Sequence, residues 1–223
     1  SSVLGLDCSS YDRTFLRRRI DARIARFARG SYAAYAEFLE AHPDEQASLL
    51  DDLAIKVTHF FRDKSMWSVL SDHMLELLDR KRSAGQLHLR IWCAGCSSGE
   101  ELYTLLILLH ELLGDEVARW RIEALGTDID HDVIDRAKQG VYDQLQFHDM
   151  DHDLRQKYFS AQQGRFAVSP SLKEHALFHA SDILAMDHPA SIDMLLCRNT
   201  VIYFSHEAKQ DLFAKFYEAL APD

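Results

Sequence analysis

A run of small residues at 94–99 (AGCSSG) has the composition of a loop that lets the backbone approach a ligand closely. An alternating apolar pattern at 87–93 predicts a strand before it, and residues 100–113 predict an apolar helix after it. The glycines do not complete the G-x-G-x-x-G pattern of dinucleotide sites, and Glu100 and Glu101 at the helix start would repel a pyrophosphate. Ala94, Gly95 and Glu101 are therefore candidate contacts for a neutral or cationic ligand.

Asp128 ends the second predicted strand, at residues 121–127. Doubly wound folds place a carboxylate at this position, where it accepts hydrogen bonds from ribose hydroxyls. A nucleoside that carries a positive charge and no phosphate fits both this carboxylate and the acidic helix start. S-adenosylmethionine is such a compound, and we expect Asp128 to contact its ribose.

Cys93 and Cys96 form a C-x-x-C motif at the same turn, so a thioredoxin-like oxidoreductase is an alternative. The helical region in front, the lack of a proline between the cysteines and the SSGEE continuation count against it. A single C-x-x-C also lacks the second pair of a typical structural zinc site. In residues 147–153 (FHDMDHD), His148 and His152 could hold a metal. Such runs are more often solvated loops, and we expect no metal site.

Residues 197–204 (CRNTVIYF) follow a continuous apolar run, at the edge where open α/β sheets bind ligands. Arg198 and Asn199 at that position, with Tyr203 four residues after Asn199, are difficult to explain as core residues. The alternative is a capped strand end with Tyr203 packed under the sheet.

The elements that position these residues follow from the periodicity of the chain. Residues 11–84 carry helical signals, whereas strands at 87–93, 121–127, 176–180 and 192–197 alternate with helices. This alternation predicts an α/β fold with a doubly wound parallel sheet. We expect an all-helical domain at 1–84 and an α/β domain at 85–223, with a small β insertion at about 154–175.

The composition is that of a globular protein, with 47% hydrophobic and 27% charged residues among 223. The longest uncharged apolar run, residues 102–109, is far shorter than the roughly 18 residues that span a bilayer. The N-terminus lacks a signal-peptide pattern, and four dispersed cysteines are not a disulfide framework. We therefore expect a cytoplasmic protein with reduced thiols and no inserted membrane segment.

The charge is asymmetric, because residues 1–30 carry a net charge of +4 within a chain of net charge −10. Apolar residues at helical spacing in this segment predict an amphipathic helix with guanidinium groups on its other face. A basic patch on an acidic protein argues against a nucleic-acid partner and suits a local acidic one. The alternative is a solvated surface helix. The candidate partner-binding residues are Arg18, Arg19 and Arg23.

Four blocks, in this order, resemble the CheR-type chemotaxis receptor methyltransferases: residues 57–63 (VTHFFRD), 92–103 (WCAGCSSGEELY), 126–130 (GTDID) and 196–204 (LCRNTVIYF). The resemblance runs from about residue 11 to the end. It implies a Rossmann-like class I S-adenosylmethionine methyltransferase sheet, an N-terminal all-helical domain and a small inserted antiparallel β-subdomain. It also implies methyl esterification of glutamates in the acidic helical methylation region of receptors, with S-adenosylhomocysteine as product.

By matching motif positions, the resemblance implies roles for individual side chains. Arg62 and Tyr203 are the implied catalytic residues, nearest the transferring methyl group. The implied cofactor contacts are Thr58, Arg62, Glu101, Asp128, Asp182, Ile183, Arg198 and Asn199.

The sequence departs from the family at Lys56, where Asn is common, at Asp182, where some members have Asn, and at Leu102, where Pro is usual. Lys56 would place a second cation beside a sulfonium. The chain also stops where the family continues into further strands, so we expect C-terminal strands to be missing. The alternative function is a catalytically weak CheR-like module that binds cofactor or a partner within a larger signalling protein. We expect a monomer, and the short connection at 160–165 favours an enzyme that does not tether to a receptor pentapeptide.

Overall fold

The structure is a computed structural model that describes residues 10–27, 30–53 and 58–222. The chain divides into two compact units. The first comprises the residues before Thr58 together with Asn199–Ala214, and the second comprises Thr58–Arg198 together with Lys215–Asp223. Among the described residues, no helix is both long enough and apolar enough to cross a bilayer.

The secondary structure alternates in the order that the sequence predicts. The helices are α1 (Arg13–Phe27), α2 (Tyr32–Ala41), α3 (Pro43–Leu53), α4 (Lys64–Ser83), α5 (Glu100–Leu113), α6 (His131–Gln139), α7 (His152–Tyr158), α8 (Pro170–Lys173) and α9 (His206–Ala219). The strands are β1 (His88–Ala94), β2 (Arg121–Asp128), β3 (Val141–Tyr142), β4 (Phe159–Gln162), β5 (Arg165–Val168), β6 (Ala176–Ala180) and β7 (Met194–Leu196).

The main sheet has four parallel strands in the order β6-β2-β1-β7. This order reverses direction beside β1, which is the switch point at which open α/β sheets bind ligands. The predicted strand at 192–197 is shorter in the structure, at Met194–Leu196, and only Leu196 is fully buried. β7 is an outer strand of the sheet, and its Met194 and Leu195 are partly exposed.

Helix α5 covers the sheet and is the most buried helix of this unit. Its apolar residues leave almost no solvent-exposed side-chain surface, since Leu102, Leu105, Leu106 and Ile107 are all 0% exposed. Helix α4 contributes Trp67, Met74 and Leu78 to the same hydrophobic core. The structure divides the chain at Thr58 and not at residue 84, because α4 packs with the sheet.

A second, antiparallel sheet has the order β3-β5-β4. Strands β4 and β5 lie within the insertion predicted at 154–175, whereas β3 begins earlier, at Val141. The hairpin between β4 and β5 turns at Gln163 and Gly164, both with positive φ, as a two-residue type I′ turn requires. The predicted antiparallel subdomain is confirmed. It begins before residue 154, because its strand β3 precedes α7 in the chain.

Helices α1, α2 and α3 form the core of the first unit, around Tyr35, Leu39 and Leu49. Apolar side chains of α1 pack against this cluster, as the amphipathic pattern predicts. Arg23, also on α1, is only 5% exposed. Its Nε donates to Glu45 Oε1 at 2.8 Å, and its Nη1 donates to Asp52 Oδ2 at 2.8 Å.

Candidate cofactor-binding site

The carboxyl ends of the parallel strands bring several predicted site residues to one edge of the sheet. Ala94 of β1 pairs with Thr127 of β2, and Asp128 pairs with Ala180 of β6. Cys93 pairs with Leu196 of β7. Gly95 directly follows Ala94, whereas Asp182 and Ile183 come two and three residues after Ala180, and Arg198 comes two residues after Leu196. The fold thus places along this edge residues that the sequence separates by up to about a hundred positions.

The loop from β1 to α5 is fixed by hydrogen bonds to the end of β2. The carbonyl of Thr127 accepts from the N–H groups of Gly95 and Cys96, at 2.7 and 2.9 Å. The N–H of Ser97 donates to Asp128 Oδ2 at 2.8 Å. Gly95, Ser97 and Gly99 have φ values of 79°, 49° and 91°, so the loop uses positive φ three times to turn from strand to helix. The backbone N–H groups of this loop therefore lie close to the carboxyl end of β2.

Asp128 is held by backbone donors on both carboxylate oxygens. Besides the bond from Ser97, Oδ1 accepts from the N–H of Asp130 at 3.1 Å. Burial raises the pKa of Asp128 above its usual value, although these backbone donors oppose the shift by stabilising the anion. The carboxylate is therefore oriented by the main chain, as a group that accepts hydroxyl donors from a ligand must be.

Glu101, the second residue of α5, is paired with Arg198 after β7. Nη1 of Arg198 donates to Glu101 Oε2 at 3.0 Å, and Nη2 donates to Asp63 Oδ2 at 2.6 Å. The guanidinium also lies over the ring of Trp67, 5.3 Å from its centroid. Burial raises the pKa of Glu101, and the charges of Arg198 and Arg62 oppose that shift. Two predicted cofactor residues thus contact each other directly.

Arg62 lies on the segment before α4, and that segment is anchored by its backbone. The carbonyl of Arg62 accepts from Trp67 Nε1 at 2.7 Å and from Arg198 Nη2 at 3.3 Å. The N–H of Phe61 donates to Thr104 Oγ1 of α5 at 3.2 Å. These bonds place Arg62 beside the Glu101 and Arg198 pair.

Glu100 is a feature that the sequence reasoning missed as part of the site. It is 1% exposed, and Ser98 Oγ donates to its carboxylate oxygens at 3.0 and 2.9 Å. Burial raises its pKa to about 7, although hydrogen bonds from its own backbone, Ser98 and Thr58 oppose the shift. Thr58, a predicted cofactor contact, is therefore engaged with Glu100. The signal in the sequence was the hydroxyl residue two positions before an acidic helix start.

Asp182 and Ile183 follow β6, next to Asp128. The N–H of Ser181 donates to the Asp128 carbonyl at 2.7 Å, which joins the two strand ends. Asp182 Oδ1 accepts from the N–H of Leu184 at 2.9 Å, in an Asx turn. Ile183 is 6% exposed. Both residues thus lie in a turn beside Asp128, and their contact with the cofactor stays a prediction.

Asn199 and Tyr203 belong to the first unit, whereas the other predicted site residues belong to the second. Asn199 is exposed and has a φ of 56°, a conformation that Asn adopts more readily than most residues. The ring of Tyr203 packs on Phe15 of α1 with 4.7 Å between centroids, and its carbonyl accepts from the N–H of Asp12. Their roles stay predictions. Lys56, the marked departure from the family, lies outside the described residues.

The basic face of α1 contains only part of the predicted partner-binding set. Arg18 is exposed, and Arg19 is half-buried with its guanidinium 5.7 Å from the Phe15 ring centroid. Arg23 is buried in ion pairs with Glu45 and Asp52. The prediction that Arg23 binds a partner is wrong, because its hydrogen-bond donors are used inside the helical unit.

The redox alternative does not fit the cysteines. Cys93 is 0% exposed and Cys96 is 1% exposed. Burial raises the pKa of each thiol well above its usual value, and the nearby carboxylates raise it further. Reactive thiols need the opposite environment, which is exposed and electropositive. The C-x-x-C motif is therefore a packing feature of the strand-to-helix turn.

The donor set at the sheet edge fits S-adenosylmethionine. Asp128 offers oriented carboxylate oxygens to hydroxyl donors, and the buried carboxylate of Glu101 is suited to a cationic ligand. The acidic helix start disfavours a phosphate ligand for the same electrostatic reason.

The comparisons with known proteins agree with this chemistry. Residues 56–223 match the family described as CheR methyltransferase, SAM binding domain, and residues 2–54 match CheR methyltransferase, all-alpha domain. The chain is 31% identical over 222 residues to a chemotaxis protein methyltransferase of Listeria innocua, which covers 97% of this chain and 80% of that protein. It is 35% identical over 182 residues to chemotaxis protein methyltransferase 1 of Pseudomonas aeruginosa, covering 78% and 65%. The Escherichia coli chemotaxis protein methyltransferase is 28% identical over 227 residues, covering 98% and 76%.

Proposed function

Because the chain belongs to the CheR methyltransferase family, and is thus an S-adenosylmethionine-dependent methyltransferase of chemotaxis, we propose that it esterifies glutamate side chains of chemotaxis receptors. The observation that carries the proposal is the pair of oriented carboxylates, Asp128 and Glu101, at the switch point of the parallel sheet. These carboxylates would attract a cationic nucleoside. A negatively charged carboxylate substrate would in turn be attracted to a methyl donor of positive charge.

S-adenosylmethionine supplies a methyl group on a sulfonium, which makes that carbon electrophilic. A glutamate of ordinary pKa, about 4.3, is already ionised at neutral pH, so the reaction needs no general base. What the protein contributes is alignment of the reacting atoms in line and exclusion of water. The residues that would hold the cofactor are Thr58, Arg62, Ala94, Gly95, Glu101, Asp128, Asp182, Ile183, Arg198 and Asn199.

Arg62 and Tyr203 are the proposed catalytic residues. The Arg62 guanidinium would orient the carboxylate of the receptor glutamate by charge-assisted hydrogen bonds. Tyr203 would present its ring or hydroxyl to the methyl-bearing sulfonium, as aromatic rings do to cations. These two roles rest on the resemblance of the motifs around both residues.

The acidic helical methylation region of a receptor is the proposed partner of the basic face of α1. Arg13, Arg17 and Arg18 are exposed on this face and supply long-range attraction. Arg19 is placed at its border. Only two residues connect β4 and β5. This short connection supports the proposal that the enzyme does not tether to a receptor pentapeptide.

Calorimetric titration of S-adenosylhomocysteine and S-adenosylmethionine tests the cofactor site. We expect micromolar binding that is lost or weakened at least a hundredfold in Asp128→Ala. Asp135→Ala is the matched control, because Asp135 is exposed on α6 and is expected to leave binding unchanged. Equal affinities for all three proteins would overturn the placement of the cofactor.

Methyl transfer to a receptor cytoplasmic fragment, followed with a labelled methyl group, tests the reaction itself. Alkaline release of methanol identifies an ester. Arg62→Ala and Tyr203→Phe should keep the fold and lose most turnover. Tight cofactor binding with no transfer to any glutamate-bearing fragment would replace the enzyme with the alternative, a CheR-like binding module.

A further inference from the structure

We propose that His59, His148 and Asp149 form a binding site for a divalent transition-metal ion of the zinc type, a function beyond the proposed methyl transfer. Nε2 of His59 lies 2.9 Å from Asp149 Oδ2, and Nε2 of His148 lies 3.6 Å from the same oxygen. One ligand atom of each residue lies within 4.8 Å of the others. The two imidazole centroids are 4.1 Å apart.

The separations suit tetrahedral coordination. Bonds of about 2.0 to 2.1 Å place neighbouring ligand atoms about 3.3 Å apart in a tetrahedral zinc site. The two distances to Asp149 Oδ2, 2.9 and 3.6 Å, lie on either side of that value and within about 0.4 Å of it. Two imidazoles and one carboxylate also leave a coordination position for water.

The tautomer of His148 is already the one that binds metal. Its Nδ1 lies 3.0 Å from the carbonyl oxygen of Leu145, which can only accept, so Nδ1 carries the proton. In the neutral ring, Nε2 then has a lone pair and faces Asp149. A carbonyl that fixes the second nitrogen in this way is the usual outer contact of a metal-bound histidine.

In the metal-free protein, Nε2 of His59 donates a hydrogen bond to Asp149 Oδ2 at 2.9 Å. Metal binding at Nε2 breaks this N–H bond: in the neutral ring the proton moves to Nδ1, and Nε2 gives its lone pair to the metal. The oxidation state of the metal does not change.

The two segments that carry the ligands are held together by buried packing. Phe60, which is 0% exposed, stacks on Phe147 at 4.9 Å, and its N–H donates to the carbonyl of Gln146 at 2.9 Å. These contacts involve the neighbours of His59 and His148 and do not depend on a metal. The ligands are therefore brought together in advance, which lowers the entropy cost of binding.

The positive charge of Lys64 opposes the binding of a metal ion at this site. Its Nζ lies 3.8 Å from Asp149 Oδ1, the oxygen opposite the one that faces the histidines. The side chain is 64% exposed, so it can turn into solvent when a cation binds. Removal of this positive charge should tighten metal binding, whereas a simple network of ion pairs would gain no affinity for metal.

Titration of Zn²⁺ into the full chain, without a polyhistidine tag, tests the site, and the visible absorption of Co²⁺ reports its coordination. We expect one ion per chain. His148→Ala should weaken binding at least tenfold, and Lys64→Gln should tighten it severalfold. His152→Ala is the matched control, because His152 is an exposed neighbour that the cluster does not include.

His148 is 58% exposed, so its alanine variant is expected to fold, whereas the half-buried His59 is the less suitable first target. The site would be overturned by a folded chain that binds no stoichiometric Zn²⁺. It would also be overturned by an affinity that His148→Ala leaves unchanged, or that His152→Ala lowers equally. Methyl-transfer activity is not a readout here, so failure of the metal site and failure of the proposed reaction are separate results.

Discussion

At the scale of single residues, hydrogen-bond partners distinguish two acidic side chains that the sequence presents alike. Glu100 and Glu101 are neighbours at the start of α5, yet Glu100 is sealed under the loop while Glu101 pairs with Arg198. Glu101 accepts a hydrogen bond from Arg198, whereas Glu100 accepts from the Ser98 hydroxyl. Burial raises the pKa of Glu100 to about 7, although the Ser98 bond opposes that shift.

Glu100→Gln should change how stability depends on pH. The pKa of Glu100 is raised from 4.5 to about 7 in the folded protein, so the folded state keeps a proton that the unfolded state has lost. Wild-type stability therefore falls as pH rises between these values. The glutamine variant should gain roughly 2 to 3 kcal/mol relative to wild type between pH 5 and pH 8.

Urea unfolding at both pH values measures this difference. Glu76→Gln provides the comparison, since the Glu76 side chain is 77% exposed and should show almost no pH-dependent gain. A Glu100→Gln gain that is the same at pH 5 and pH 8 would contradict the assignment.

At the scale of elements, the two faces of α1 have different environments. One face holds Arg23 in a buried network with Glu45 and Tyr35, where the hydroxyl of Tyr35 donates to Glu45 Oε1 at 2.6 Å. Burial alone would raise the pKa of Glu45, but the bonds from Arg23 and Tyr35 bring it below its usual value. The other face presents Arg18 to solvent.

Arg23→Met should destabilise the protein by about 3 to 5 kcal/mol, because it leaves buried carboxylates without their cation. Arg18→Met makes the same chemical change on the exposed face and should cost within about 0.5 kcal/mol. Denaturant unfolding of the two variants compares them directly. Equal costs would mean that the buried ion pairs contribute nothing particular to α1.

The turn from β1 into α5 depends on a close approach at Gly99. Its φ is +91°, and a Cβ there would lie 2.9 Å from the Cβ of Ala137 and 3.1 Å from the ring of Phe178. Gly85 has a similar φ, +69°, with no atom within 4 Å of its Cβ position. The pair thus separates backbone strain from crowding.

Gly85→Ala should cost about 1 to 2 kcal/mol from the left-handed conformation alone. Gly99→Ala should cost an additional 1 to 3 kcal/mol, approximately, from overpacking. Calorimetry or urea unfolding gives both values. Equal stability of the two variants would contradict the prediction, because it would mean that Ala137 and Phe178 shift to make room for the new methyl group at no loss of stability.

At the scale of the whole molecule, the net charge of −10 conceals a basic first segment. The net charge of residues 1–30 is +4, so an acidic partner is attracted to one region of an otherwise repulsive surface. Electrostatic complementarity of this kind acts mainly on the association rate and on specificity.

Replacement of Arg13, Arg17 and Arg18 by Gln should weaken binding to an acidic receptor helix about tenfold at low salt, with a smaller effect near 0.5 M salt. Cofactor affinity should stay unchanged. Arg119, Arg121 and Lys138 are exposed elsewhere, and their replacement by Gln makes the same change in net charge. Equal weakening by both triple variants would show that total charge, rather than the face of α1, governs the interaction.

The sequence by itself determined what local periodicity encodes. The bounds of α5, 100–113, and of β6, 176–180, agree with the pattern of apolar residues. The parallel sheet, the cofactor class and the position of Asp128 also followed, because strand ends and small-residue loops leave marks within a few residues of chain.

Only the tertiary structure decided which side chains meet across long separations. Arg23 is buried because it pairs with Glu45, which lies 22 residues later in the chain. Helix α4 packs with the sheet, and its Trp67 is part of their shared core. His148 met His59, 89 residues earlier, rather than His152 four residues later. Such pairings depend on how elements pack, and hydrophobic periodicity specifies which face of an element is buried but not which distant residue it contacts.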